Sequence, residues 1–227
     1  MVDQSGAAGP VSIDLGNGND AATGSAFDDM IHAGNGDDNV TAGDGNDVVT
    51  ASSGTNTISG DAGNDVISAL AGQNDISGGS DADFVMGGIG NDTLDGGSGN
   101  DVIMGDIAGG FGGADRIIGG TGDDLMMGGV GSDVFVFSAG DGNDQIGRLN
   151  VDTHDQVGNS TVSGADFQVG YDVIELVGLG YADGAEALSH VSDVNGVAVF
   201  DDAANGLSIT LHGLVTADLS ASDFNIV

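Results

Sequence analysis

The chain carries one apolar residue at every ninth position: Ala22, Ile31, Val40, Val49, Ile58, Ile67, Ile76, Val85, Leu94 and Ile103, then Met126 and Phe135. Neighbours on both sides of each must point the other way, so each triplet predicts a very short strand with one inward side chain. The clearest full periods are Gly87 to Asp95 (GGIGNDTLD), Gly96 to Met104 (GGSGNDVIM), Gly119 to Met127 (GGTGDDLMM) and Gly128 to Val136 (GGVGSDVFV). Read from Leu15, the frame holds through Met104, absorbs a longer segment from Gly105 to Ile118, and resumes at Gly119. In that segment GGFGGADRII reads as a repeat with extra residues ahead of it, Asp115 in the sixth place and Ile117 in the eighth. Ala139 to Gly147 (AGDGNDQIG) reads as a looser last repeat with Asp144 and Ile146. A fixed internal period predicts stacked units, each burying its apolar residue against its neighbours. Two nonapeptides, hence two turns and two strands, make one coil of a flattened right-handed solenoid.

The rest of the period is turn. Glycines in the first, second and fourth places permit positive φ and close backbone approach, so six residues can wrap with their carbonyls inward. The sixth place is Asp20, Asp29, Asp38, Asp47, Asp65, Asp83, Asp92, Asp101, Asp124 and Asp133, joined by Asp115 and Asp144, but Asn56 and Asn74. Hard carboxylate and carbonyl oxygens with no cysteine select calcium over zinc or copper.

These repeats resemble the RTX (repeats-in-toxin) family of calcium-binding parallel β-rolls. The resemblance implies an all-β chain whose calcium ions sit between turns on one edge. Sixth-place carboxylates two repeats apart would hold them, together with loop carbonyls. Alternate repeats share an edge. On the even edge Asp29, Asp47, Asp65, Asp83, Asp101 and Asp124 form a nearly complete row. The odd edge begins at Asp20 and Asp38 but is interrupted by ASSGTN and ALAGQN, where neutral Asn56 and Asn74 supply no charge, and weak or absent sites are expected there.

Charge sharpens this picture. The 36 acidic residues face only Arg116 and Arg148, for a net charge of −34, which repels nucleic acid and anionic membranes and, without counter-ions, the chain itself. A regular core place every ninth residue argues against plain disorder, so the expectation is a chain disordered without calcium and folded with it. With no cysteine, extracellular stability must come from metal. No stretch is long enough to span a bilayer.

Three parts are expected. Residues 1–14 are a cap: Ile13 keeps the core place, Val11 stands where the ligand would be, and Pro10 blunts the exposed sheet end. Met1 and this cap read as a true beginning, with no Sec-type signal peptide visible. Residues 15–147 are the roll. Residues 148–227 are a small β-sandwich-like cap with strands near Tyr171 to Val177, Val197 to Phe200 and Leu207 to Leu211, a hairpin loop DDAANG, and a short helix near Ala185 to His190. This ending resembles that of RTX proteases and lipases, and Asp218 to Val227 (DLSASDFNIV) resembles an uncleaved C-terminal signal. The resemblance thus implies the type I secretion machinery as a partner and export from a Gram-negative bacterium to the cell surface or beyond.

Catalytic motifs are not found. There is no H-E-x-x-H and no G-x-S-x-G; His32, His154, His190 and His212 are scattered and expected at the surface. In adjacent acids such as Asp37–Asp38 and Asp123–Asp124, the second is read as the calcium ligand and the first as solvated.

The seventh and ninth places face outward and write two different faces. The even face reads Met30, His32, Val48, Thr50, Val66, Ser68, Phe84, Met86, Val102, Met104, Leu125 and Met127, and the odd face reads Ala21, Thr23, Asn39, Thr41, Thr57, Ser59, Asp75, Ser77, Thr93 and Asp95. An ordered apolar face points to a contact surface, unless the C-terminal region folds back over it. The favoured expectation is a non-enzymatic, secreted calcium-binding structural protein that self-assembles or attaches at the cell surface. The alternatives are a carbohydrate-binding accessory module like those of alginate epimerases, and the C-terminal half of a secreted enzyme.

Overall fold

The computed structural model describes residues 1–106, 112–147, 167 and 171–227. Among the described residues, ten strands form one sheet and eleven the other. Odd repeats supply the first sheet, with Ala21–Thr23, Asn39–Asp44, Thr57–Ala62, Asp75–Ser80 and Thr93–Ser98 pairing in parallel. Even repeats supply the second in the same way, through Met30–Asn35, Val48–Ser53, Val66–Ala69, Phe84–Met86, Val102–Met104 and Leu125–Met127. Val40 lies opposite Ile58, and Val85 opposite both Ile67 and Ile103. The advance is eighteen residues per coil, and the architecture is a parallel β-roll.

Strand length departs from the expected triplets. Some strands stop at three residues, as in Phe84–Met86, while others run to six through the first turn places, as in Asn39–Asp44 and Thr93–Ser98. Side chains alternate along a strand, so the sixth, eighth and first places all point inward; in Thr93–Ser98, Leu94 and Gly96 are buried and the residues between them are not. The eighth-place residues from Ile31 to Phe135 are almost wholly buried, and the first-place Ala33, Ala42, Ala51 and Ala69 join the same core.

Both ends carry more than the periodic pattern shows. Ser12–Asp14 pairs with Met30–Asn35 and places Ile13 beside Ile31. An additional strand, Val2–Asp3, pairs with Ala21–Thr23, so the first coil is complete on both sheets. At the other end Gly142–Ile146 continues the even sheet and Val134–Ser138 the odd sheet. The C-terminal strands do not lie over the even face. Val173–Val177 and Phe224–Ile226 extend the odd sheet in parallel. Leu207–Leu211 extends the even sheet in parallel, and Val197–Asp202 and Val191–Val194 then follow antiparallel. The short helix is Gly184–Leu188, capped by the Asp183 side chain on the amides of Ala185 and Glu186. No helix among the described residues is long and apolar enough to cross a membrane.

The long segment is a correction. Gly105 N–H bonds Met127 O at 2.8 Å and Asp106 N–H bonds Gly128 O at 3.2 Å, so these two residues already occupy the first and second places of the repeat that ends at Ile118. The bond from Asp92 N to Asp115 Oδ1 spans 23 residues where the regular bonds span 18. The extra residues therefore lie inside the turn, between Asp106 and Gly113, and not ahead of the repeat.

Because faces alternate with each nonapeptide, the unit of insertion is the coil. Deleting residues 60–77 should remove one coil and leave calcium-induced β-structure intact by circular dichroism. Deleting residues 60–68 should send every downstream strand to the opposite sheet and lose the cooperative transition; equal behaviour of the two deletions would contradict the register.

Candidate metal sites along the roll edges

The turns that close each coil stack into two edges, and each edge is bound by two side-chain ladders of opposite direction. In the inner ladder the sixth-place Oδ1 accepts the sixth-place N–H of the coil before. On the even edge Asp29 N donates to Asp47 Oδ1 (2.7 Å), Asp47 to Asp65 (2.8 Å), Asp65 to Asp83 (2.7 Å), Asp83 to Asp101 (2.8 Å), Asp101 to Asp124 (2.8 Å) and Asp124 to Asp144 (3.0 Å). The odd edge runs Asp20, Asp38, Asn56, Asn74, Asp92, Asp115, Asp133 and on to Asp172. In the outer ladder a fifth-place oxygen accepts the fifth-place N–H of the coil after, as from Asp37 to Asn19 (3.0 Å), Thr55 to Asp37 (2.9 Å) and Asn64 to Asn46 (2.8 Å). Asp37 and Asp123, expected to be merely solvated, are rungs of this outer ladder, and Asp123 Oδ1 accepts both the backbone and side-chain N–H of Asn143.

The second oxygen of the inner carboxylates has no such partner. Oδ2 of Asp38, Asp47, Asp65, Asp83, Asp92, Asp101, Asp115, Asp124, Asp133 and Asp144 is buried without a hydrogen bond, as is Oδ1 of Asp106. Burying an ionised oxygen unpaired is expensive, and a cation is the usual remedy. The first-place glycine shows what the space is kept for. A Cβ on Gly60 would lie 2.2 Å from Asp65 Oδ2 and 2.4 Å from Gly78 O, and one on Gly96 would lie 2.4 Å from Asp101 Oδ2 and 2.6 Å from Gly119 O. At these two positions glycine is required by the closeness of a carboxylate and a carbonyl, whereas Ala33, Ala42, Ala51 and Ala69 fill the first place of other repeats. Positive φ belongs instead to the second and fourth places, as at Gly97 (104°) and Gly99 (134°).

Among the described residues no group of three or more His, Cys, Asp or Glu side chains is gathered tightly enough to hold a metal alone. The carboxylates stand one per coil, so a ligand shell must draw on backbone carbonyls as well, a hard all-oxygen set that fits calcium. Burial pushes these carboxyls up against the pull of the amide hydrogen bond: to about 7 at Asp47, Asp83 and Asp144, about 6 at Asp65, Asp92 and Asp124, and about 8 at Asp115.

Several predicted positions differ from this pattern. Asp20 is only half-buried. Asp29 is saturated by protein donors: Ser25 N–H reaches Oδ2 at 2.5 Å, and Ser25 Oγ and Val11 N–H reach Oδ1 at 2.9 and 2.7 Å. At the odd-edge interruption Asn56 Nδ2 donates to Asn74 Oδ1 (2.9 Å), and Asn74 Nδ2 donates to Asp92 Oδ1 (3.0 Å) and Gly87 O (3.2 Å). These amide groups put N–H donors among the oxygens of the odd edge there.

Of the buried acids that were not anticipated, Asp172 and Asp106 belong to the odd-edge turns. Asp172 continues the odd ladder beyond the repeats; its sequence signal is its place two residues before the buried Ile174. Asp106 hides in a second place that is mostly glycine. Among the histidines, His32, His190 and His212 are exposed and hydrogen-bond to Thr50 Oγ1, Asp201 O and Gln145 Oε1, and the His190 ring also packs on Tyr181 and Phe200; His154 and Arg148 lie outside the described residues.

A family model for the RTX calcium-binding nonapeptide repeat matches four times, over residues 14–49, 50–85, 77–107 and 109–146. The chain belongs to that family, and its repeats bind calcium. No curated protein matches it significantly. Among solved structures it is similar to the extracellular lipase LipA from Serratia marcescens, at 19% identity and a TM-score of 0.46, over 91% of this chain and 40% of that one. The chain therefore spans well under half the length of the lipase.

A carboxyl whose folded value is raised favours the fold when protonated. Its contribution is fully present below its ordinary value of 3.8 and is lost as pH rises through about 6 to about 8. Calcium-stripped protein should therefore show more β-structure by circular dichroism at about pH 5 than at about pH 8. A metal-free signal that grows with pH would contradict the buried-carboxylate geometry.

Proposed function

We propose that this chain is a secreted, non-catalytic structural protein of a Gram-negative bacterium, which folds on meeting calcium outside the cell and then associates through the outer face of its even sheet. The observation that carries the reading is the row of buried, unpartnered carboxylate oxygens on both edges. In this reading Asp38, Asp47, Asp65, Asp83, Asp92, Asp101, Asp115, Asp124, Asp133 and Asp144 are the principal ligands, each with carbonyls of its own and the next coil. Asp20 and Asp29 sit at the margin of the edges, the first half-exposed and the second already hydrogen-bonded. In a calcium-poor cytosol like charges oppose the coil; at the roughly 10⁻⁴ to 10⁻³ M range of extracellular modules the metal reverses that balance. Export by the type I route, with the signal at Asp218 to Val227, belongs to the same reading.

The association surface rests on register. Met30, Val48, Val66, Phe84, Val102 and Leu125 stand in one continuous column, and Ser68, Met86 and Met104 in a second. Met30 and Val66 are 46% and 44% exposed, and the others are half-buried. Met127, expected at the end of the second column, is only 6% exposed. It lies beside the last coil, where Gly147 N–H bonds Met126 O and His212 packs on Gly147, so the strip ends at Met104 and Leu125. Burying roughly 300 Å² of such a strip at ~25 cal/mol per Å² offers several kcal/mol before association costs.

Calcium titration followed by circular dichroism and metal analysis tests the folding half. β-Structure should appear with calcium and vanish in chelator. Asp65→Asn should lower the bound-calcium count and raise the midpoint, whereas Asn74→Asp should add to the count; a roll that persists in excess chelator sinks the reading.

The double change Phe84→Asp with Met104→Asp tests the association half. It should leave calcium-induced folding intact while abolishing oligomers or surface attachment. A wild type that scatters light as a monomer, with a double mutant that still attaches to cells, would rule the face out.

A further inference from the structure

Asp106 stands outside the repeat pattern. It occupies the second place of its turn, where glycine is usual, and is only 4% exposed. Its carboxylate takes backbone hydrogen bonds from Gly113, to Oδ2 at 3.1 Å, and from Val130, while its Oδ1 is buried without a partner. The side chain is closely enclosed: a Cβ on Gly112 would lie 2.2 Å from its Oδ2, and one on Gly129 would lie 2.6 Å from its Cβ. The carboxylates of Asp115, Asp133 and Asp92 act on it electrostatically, each disfavouring its charge or having its own charge disfavoured by it.

A turn clamp does not require this chemistry. Ser25, in the same place of its own repeat, ties a turn through its N–H and hydroxyl with no charge, whereas the second place at Asp61 carries a carboxylate that is exposed and bonded to Ser59. Asp106 brings a fourth negative charge to a neighbourhood that already holds those of Asp92, Asp115 and Asp133, and it leaves one oxygen unsatisfied inside. The neighbouring Gly105 is the first-place residue, a Cβ on which would lie 2.2 Å from Asp115 Oδ2 and 2.4 Å from Gly128 O. Asp106 thus follows directly in the chain the glycine that faces the carboxylate and carbonyl of one inter-coil position, and it and Asp115 feel each other's charge.

We propose that Asp106 is an off-motif calcium ligand, and that the position it shares with Asp115 and the Gly128 carbonyl is the tightest site of the odd edge and the first there to fill. This rests on the reading of the edges as calcium sites. Affinity in an oxygen site rises with the number of charged ligands, and a regular position in this roll has one fewer.

The test is calcium competition against a chromophoric chelator, using the full chain and comparing Asp106→Asn with Asp47→Asn. Asn keeps an oxygen for the Gly113 amide and removes only the charge. Asp106→Asn should weaken the tightest odd-edge class of sites at least tenfold, about 1.4 kcal/mol, while the calcium-saturated circular dichroism is unchanged. Asp47→Asn should lower the total count and leave that class alone. Identical affinities in wild type and Asp106→Asn would overturn the proposal and reduce Asp106 to a clamp. Should Asp106→Asn fail to fold, europium excitation on the wild type decides: the first ion bound should report more carboxylate charge than later ions, and a single uniform environment overturns the proposal. Whether the wild type folds with calcium at all is a separate result, so the two failures are distinguishable.

Discussion

A carboxylate oxygen held inside the roll with nothing to pair with is the constraint on which the rest of the architecture depends. Parallel strands alone would stack this chain, since the core places and backbone bonds are the same in every coil. Alternation, however, points the sixth-place acid inward along with the core residue, so the coil cannot close without burying charge. Glycine in the first place, carbonyls of the next coil and the amide ladder all converge on that problem. The amide satisfies Oδ1 and leaves Oδ2 unpaired. Where the chain uses Asn56 and Asn74 instead, the side-chain amide nitrogens donate along the ladder.

Much of this was legible because it is periodic. The core column, the two parallel sheets, the even and odd edges and the interruption at Asn56 and Asn74 all follow from counting in nines. The residues that escaped are those whose role depends on the neighbouring coil. Ser25 looks like an ordinary turn residue, yet its donors saturate Asp29. Asp37 looks like a solvated partner of Asp38, yet it is a rung of the outer ladder. First-place glycines such as Gly60 and Gly96 leave space beside a carboxylate, a reason different from the backbone freedom that the pattern suggests. Asp172 was missed because the sequence before it has Phe167 and Gln168 in place of the first two glycines, and the Met127 position because the end of the sheet is not periodic.

The two ladders also explain how a chain of such high net charge can be both soluble and stackable. Each coil donates to the next through its inner ladder and to the previous one through its outer ladder, so its polar groups are complementary only to a coil in register. A slip by one repeat would set the outer face of one sheet on the other, replacing the Phe84 and Met104 columns with Asp75 and Asp95. Charge and register are thus a single specification, and the extra strand Val2–Asp3 completes it at the first coil.

The turn between Asp106 and Gly113 shows where this specification is silent. Regular ladder bonds there span 23 residues instead of 18, yet Asp115 and Gly113 meet the next coils as their counterparts do elsewhere. The roll reads position in space and not distance along the chain, so a turn can act as a port: a place where new sequence is admitted without being counted by the scaffold. A solenoid of this kind can acquire recognition loops one edge at a time, with each addition left free to vary while the rungs above and below it remain unchanged.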